Sequence, residues 1–424
     1  MKNLKLTVAL VSSAILIGAL TLAPGGGVRA ADQSKNTVSK EFAKPLTAAR
    51  EAIKRGEYRE AIDQLDKARA LPKATPWETH VINDLGAYAY VKTGNLPQAA
   101  RAMEALVGDG FTPPAEANKY VKSLATIYFG LKDYGKSVDY GTRAIRGGFG
   151  DANTYTSVSQ AYYYKGDVRN AMKFTEDWVN DEVKRGETPK EWQLQIILSS
   201  CEKLEDQACV TRSFERLVTY YPKPDYWQNL MEGLFRSKEA ERSDLLMLDV
   251  YQLAYDVNAI SKPQNYLEMA QLGLELGSPG ESQQVLEKAF GKNVFTAQRD
   301  RERAQRLLAS AKTQVASTQA SLPKLEQEAM ASATGEKSVA LGTDYLSYGQ
   351  YDKAAELLSQ GLMKGGVQNP AQARLLLAIA QFKGGKRDDA LKTFRKVKGD
   401  PALERLANLW SLHARGEART VASR

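Results

Sequence analysis

Two short stretches of the 424-residue chain have spacings that could do chemistry. Gly130-Leu131-Lys132-Asp133-Tyr134-Gly135-Lys136-Ser137 fits the G-x-x-x-x-G-K-S pattern of a phosphate-cradling loop. Such a loop needs a buried strand before it and a helix after it, so that backbone amides converge on phosphate. Here Leu124, Ala125 and Tyr128 precede it at helical spacing, so the stretch reads as the turn of a helical hairpin. Ser200-Cys201-Glu202-Lys203 fits the S-x-x-K pattern of penicillin-binding enzymes, but the companion motifs S-D-N and K-T-G are missing. Neither match predicts catalysis. Only two histidines, His80 and His413, and two cysteines are present, too few for a multi-histidine metal centre or a zinc finger. Glu326 and Glu328 read as a solvated helix face. The expectation is a non-catalytic chain with no metal and no cofactor.

Cys201 and Cys209 lie four residues either side of a turn at Glu205, and are level across an antiparallel hairpin. They are expected to form a disulfide, worth about 2 kcal/mol for so short a loop.

The 20 tyrosines carry more information. Tyr128, Tyr162 and Tyr345 recur in one slot of a repeated pattern, where packing explains them. Tyr163 and Tyr164 fall just past that slot. Spacing of four then three puts Thr156, Gln160 and Tyr163 on one helical stripe. The same stripe in other units holds Asp84, Tyr88 and Val91, then Lys122, Thr126 and Phe129, then Asn229, Gly233 and Arg236. Rigid aromatics beside adaptable polar groups suit a peptide-binding groove. Partial burial between adjacent helices is the competing reading of the same stripe.

The elements that must position these residues are repeated helices. A small residue, an aromatic three later, a Gly or Asp turn, then Ala and an apolar residue recur along the chain. The clearest copies are Val158, Ser159, Tyr162, Gly166-Asp167, Ala171, Phe174, Trp178, then Leu124 to Ala144, and Leu341 to Leu358. Turns near 56, 94, 132, 166 and 205 are 34 to 39 residues apart. Thr75-Pro76-Trp77-Glu78 and Thr188-Pro189-Lys190-Glu191 read as capping boxes with Pro in the first helical position, and Asn369-Pro370-Ala371-Gln372 repeats the device. No period-two alternation bounded by hairpin turns occurs, so an all-α fold is expected.

This pattern resembles the tetratricopeptide repeat (TPR) family over about residues 41–400. The resemblance implies a solenoid of about ten units, a right-handed superhelix of antiparallel helix pairs with a concave protein-binding groove. TPR domains that clamp a terminal carboxylate place lysine and asparagine one turn apart on the groove stripe; here Thr126 follows Lys122, so that clamp is not expected. The C-terminal third is similar to exported TPR proteins encoded beside TonB–ExbB–ExbD systems, through Lys364-Gly365-Gly366-Val367, Pro370, Leu375-Leu376-Leu377, Ile379-Ala380, Gly385, Ala390, Phe394, Leu406 and Trp410. That resemblance implies an accessory to outer-membrane uptake that works by binding proteins.

Residues 1–30 read as a signal peptide: Lys2 and Lys5, an apolar run from Leu6 to Ala23, then Val28-Arg29-Ala30 with cleavage after Ala30. Periplasmic localisation is expected. Losing Lys2, Lys5 and Arg29 leaves 55 basic and 50 acidic residues, too even a balance to suggest nucleic-acid binding. Residues 31–40 read as a flexible leader, 41–291 as an N-terminal TPR array, and 336–424 as C-terminal units with a capping helix at Pro401–Ala414. The polar stretch 292–335 reads as an irregular repeat of two helices interrupted at Pro323, with a hinge as the other reading. The functional expectation is a periplasmic adaptor that binds protein segments of the cell envelope, with no membrane span in the mature chain. The alternatives are a structural part of an envelope polysaccharide or outer-membrane assembly machine, and a peptidoglycan-acting enzyme on a helical superhelix.

Overall fold

The computed structural model describes residues 36–236, 241 and 243–422, so the expected signal peptide lies outside the described residues. Those residues form 20 helices and no strand, an all-α fold of successive helical hairpins, as expected. The chain divides into two compact units. One runs to Arg185 and includes Ser199–Leu204; the other holds Gly186–Leu198 and everything from Glu205 onward.

The first unit stacks four hairpins: α1 (Lys40–Lys54) with α2 (Tyr58–Arg69), α3 (Pro76–Thr93) with α4 (Leu96–Gly108), α5 (Pro114–Gly130) with α6 (Tyr134–Arg146), and α7 (Ala152–Lys165) with α8 (Val168–Lys184). Small residues set their closeness. At Gly141 of α6, a Cβ would come within 2.2 Å of Val158 Cγ2 on α7, so only glycine permits this approach. Apolar faces close the core in clusters, one around Phe42, Leu46, Leu65 and Ile82, the next around Tyr90, Met103, Leu106 and Leu124. The expected turns are present. Gly94 and Gly166 reverse the chain in the left-handed region, at φ 74° and 86°. Lys132 does the same work at φ 63° without glycine's freedom.

Helix starts follow the sequence in part. Thr75 and Glu78 form the expected reciprocal capping box at α3. Asn369 Oδ1 accepts from the Gln372 amide 3.0 Å away. The box expected at Thr188 does not form. Helix α9 (Glu191–Lys203) begins two residues past Pro189, and the Lys190 amide is taken by the Gln193 side chain. Cys201 and Cys209 are disulfide-bonded, as their spacing suggested.

The second unit continues with α10 (Gln207–Tyr220), α11 (Pro224–Phe235), α12 (Asp244–Asp256), α13 (Pro263–Glu275) and α14 (Pro279–Gly291). The polar stretch is one 34-residue helix, α15 (Gln298–Ala331), with Pro323 inside it. The expected break is absent because Leu322 and Leu325 flank the proline and pack on the cluster of Leu341, Tyr345 and Leu358, holding both sides of it in helix. Next come α16 (Glu336–Ser347), α17 (Tyr351–Lys364), α18 (Pro370–Lys383) and α19 (Arg387–Phe394).

The last helix, α20 (Pro401–Ala422), is more than a cap. It packs on α18 and α19 and also on α10 and α12. Leu403, Leu406, Leu409, Trp410, Ser411, His413 and Ala414 are all buried, while Pro401, Asn408 and Arg415 form an exposed stripe on the opposite side. Such a wide apolar face is what a helix presents when it closes a core against several neighbours. Trp410 meets the rings of Phe382 at 6.1 Å, Phe394 at 6.4 Å and His413 at 6.0 Å.

Polar groups follow α20 into this core. Asp256 Oδ2 lies 3.0 Å from His413 Nε2, and Lys383 Nζ donates to Asp256 Oδ1 at 3.1 Å. Burial opposes ionisation of Asp256, but His413 and Lys383 together hold its carboxyl below the usual range. Gln252 donates to Glu281 at 2.8 Å and Gln372 to Asp249 at 2.9 Å.

Candidate aromatic binding surface

The stripe read from the sequence exists, but its polar members mostly bind one another. Tyr120 Oη donates to Asp84 Oδ1 at 2.7 Å, joining α5 to α3. Lys122 Nζ pairs with Asp151 at 3.0 Å, at the start of α7. Thr126 and Ser157 hydroxyls lie 3.4 Å apart. Tyr163 Oη and Ser199 Oγ are 2.7 Å apart, joining α7 to the end of α9 within the first unit. Thr156 donates back to Ala152 O, satisfying its hydroxyl within α7. The stripe is therefore a ladder of bonds between alternate helices of the first unit.

Gln160 does not line a groove. It is 3% exposed, because the helix turns it into the contact with neighbouring helices. Asn229 and Arg236 lie in the second unit, on the exposed side of α11, opposite the buried Trp227, Leu230 and Leu234. Asn229 bonds Asp225 O and Arg236 pairs with Glu232, so both are satisfied within their own helix. Tyr88 is half-buried, edge-on to Tyr58 at 5.9 Å, with Lys92 Nζ 5.4 Å above its ring.

Three of the expected residues do converge. Tyr164 is 44% exposed and stands at the centre of a ring cluster. It stacks on Tyr134 at 5.7 Å, leans on Phe129 at 6.1 Å and meets Tyr163 edge-on at 5.8 Å. Phe129 and Tyr134 are 5.8 Å apart. Lys203 Nζ sits 4.2 Å from the Tyr163 ring centroid. Partial burial, then the neighbouring Tyr134 and Tyr163, raise the Tyr164 phenol above its ordinary range, so it stays neutral. Each ring pair adds about 0.5–1.5 kcal/mol beyond area burial, and the lysine contact about 0.5–1 kcal/mol, so the surface is stiff before any partner arrives. Sequence reasoning missed Tyr134 and Lys203. The signal for Tyr134 was its place directly after the Asp133 turn, which starts α6 beside the end of α5.

The other motifs take structural roles. Ser137 of the loop-like stretch is fully buried and donates to Ala125 O at 2.8 Å, pinning α6 to α5. Ser200 is fully buried. Among the described residues no cluster of three or more His, Cys, Asp or Glu could hold a metal, and no helix is long and apolar enough to cross a membrane.

The tetratricopeptide repeat family model matches residues 85–152 and 339–404, one segment in each unit, which supports the TPR reading of the repeats. No curated protein matches the chain. Among solved structures, the Naa15/Naa10 complex bound to HypK-THB is 16% identical, with a TM-score of 0.32 over 91% of this chain and 68% of that one. A tetratricopeptide repeat protein from Parabacteroides merdae is 11% identical, with a TM-score of 0.28 over 78% of this chain and 98% of that one. Yeast Tom70 is 11% identical, with a TM-score of 0.24 over 90% of this chain and 96% of that one.

Proposed function

We propose that this protein is a non-catalytic adaptor that holds an extended segment of a partner protein against the aromatic surface of its first unit. The observation that carries the reading is Tyr164, the most exposed member of a rigid four-ring cluster flanked by Lys203. Large pre-ordered rings give contact area at low entropic cost, and the tyrosine hydroxyls offer hydrogen bonds to a partner's backbone. The paired stripe beneath it keeps the supporting helices in place.

The finer reading is a periplasmic adaptor exported through the N-terminal signal sequence and accessory to TonB-dependent outer-membrane uptake. It rests on the targeting pattern of residues 1–30 and on the resemblance in the C-terminal third. The test is a photoreactive residue at position 164 in the source organism, followed by identification of the captured proteins. TonB, ExbD or an outer-membrane receptor is the expected catch; polysaccharide-assembly proteins would replace the uptake reading. In a pull-down of the partner so identified, with no photoreactive residue in the chain, Tyr163→Ala with Tyr164→Ala should weaken capture at least tenfold while leaving the helical spectrum unchanged. Undiminished capture by the folded double variant would refute the aromatic surface.

A further inference from the structure

The most exposed large apolar side chains among the described residues are two methionines of the second unit. Met330 is 74% exposed and Met363 is 76% exposed. Methionine is a flexible filler of irregular cores, and other positions of this chain use it that way. Met103, Met231 and Met269 are all at most 2% exposed, and Met172 and Met247 are half-buried. Met330 and Met363 fill no core. Their thioethers stand in water.

The two belong to one corner of the unit. Met330 lies in the last turn of α15 and Met363 in the last turn of α17. Lys364, directly after Met363, reaches across to the end of α15. Its Nζ donates to the carbonyl oxygens of Ala329 at 2.9 Å, Met330 at 3.1 Å and Ser332 at 3.3 Å. A helix end leaves such carbonyls without intrahelical partners. The Gly335 amide donates to Gly365 O at 2.7 Å beside it. Glycine is required for that approach, since a Cβ on Gly335 would fall 1.8 Å from Gly361 O. The clasp is therefore made of one lysine and backbone atoms. It uses no side-chain atom of either methionine, so the thioethers can change chemically without breaking it.

The change open to them is oxidation. A thioether sulfur attacks the O–O bond of hydrogen peroxide. An S–O bond forms, the O–O bond breaks, sulfur loses two electrons to become a sulfoxide, and the rest of the peroxide leaves as water. In a core the new polar oxygen would be buried among apolar groups. At Met330 and Met363 it faces solvent. The same exposure admits a sulfoxide reductase, in which two thiols become a disulfide while the oxygen leaves as water and the thioether returns.

We propose that Met330 and Met363 form a reversible oxidation site, reacting with peroxides while the protein stays folded and restored by thiol-dependent sulfoxide reductases. The site lies apart from the aromatic surface around Tyr164, and its failure would leave the adaptor reading untouched.

The experiment treats the full folded chain with dilute hydrogen peroxide beside free methionine, and follows each position by peptide mass spectrometry. Met330 and Met363 should oxidise within about twofold of the rate of free methionine, and Met103, Met231 and Met269 at least about tenfold more slowly. Once both have reacted, the helical spectrum and the urea midpoint should match those of untreated protein. Reductases for the two sulfoxide epimers, added together without denaturant, should then restore both thioethers. Protection of Met330 or Met363 by more than about tenfold, or equally fast reaction at the buried methionines, would overturn the site. So would a urea midpoint that falls on oxidation of the parent but not of the Met330→Leu, Met363→Leu double variant. Sulfoxides that the reductases cannot restore in the folded chain would overturn its reversibility.

Discussion

Asp249→Asn isolates the electrostatics of the second unit's core. Asp249 is 1% exposed; its Oδ1 accepts from Gln372 Nε2 at 2.9 Å, and its Oδ2 has no partner. Burial, with Glu281 and Asp400 adding repulsion, pushes its carboxyl up to about 8 against the help of the Gln372 bond. The folded value is raised, so this site's contribution is full below the unfolded value near ~4 and is lost as pH rises towards 8. Between those limits the unfolded chain releases a proton that the folded chain keeps. Each pH unit then costs about 1.4 kcal/mol, so from pH 5 to pH 7 the site withdraws about 2–3 kcal/mol.

Asparagine keeps the acceptor for Gln372 and carries no titrating proton. Its amide nitrogen replaces an oxygen that had no partner, a constant offset of about 1–3 kcal/mol that does not vary with pH. The diagnostic quantity is therefore the slope. Urea denaturation at pH 5, 6 and 7, followed by tryptophan fluorescence, should show the variant gaining about 2–3 kcal/mol on the parent across the range. Other titrating groups are common to both chains and cancel. A difference that stays flat with pH would mean Asp249 is ionised when folded, and the account of this core would fail.

Two further perturbations test the frame. Trp410→Ala removes a fully buried ring between Phe382 and Phe394 and should cost about 3–5 kcal/mol in urea; a loss below about 1 kcal/mol would show that α20 is not a core helix. Lys132→Gly relieves a left-handed residue at a turn where the flanking repeats use Gly94 and Gly166, so stability should rise by about 1 kcal/mol by the same assay, and a fall would place an unseen role on the lysine side chain.

Helix type and turn positions were legible because they are local. Glycines at left-handed turns, Thr75 with Glu78, and alanine-rich slots are written into a few adjacent residues. The disulfide was legible for the same reason. What the sequence concealed was set by neighbours. Gln160 shares a stripe with Tyr163, yet one is buried and the other half-buried, since the helices packed beside α7 decide that. Asp84, Lys122 and Tyr163 read as groove residues because periodicity gives a face, but not whether the next repeat supplies a partner. Pro323 read as a break because local rules penalise proline, whereas the leucines beside it, packed on a distant cluster, hold the helix together. The place of α20 against α10 and α12 spans some 190 residues and has no local signature.

The central position of α20 has a consequence for the order in which the chain can mature during synthesis. The first unit can close its clusters around Leu65 and Met103 as soon as its own helices have emerged. The second cannot, because Trp410 and its neighbours are made after every helix that they cover. Until then the surfaces of α10, α12 and α18 that α20 covers stand open to water. A chain cut short before Pro401 would keep them open permanently, marking it for proteolysis, and only a chain read through α20 can hide them.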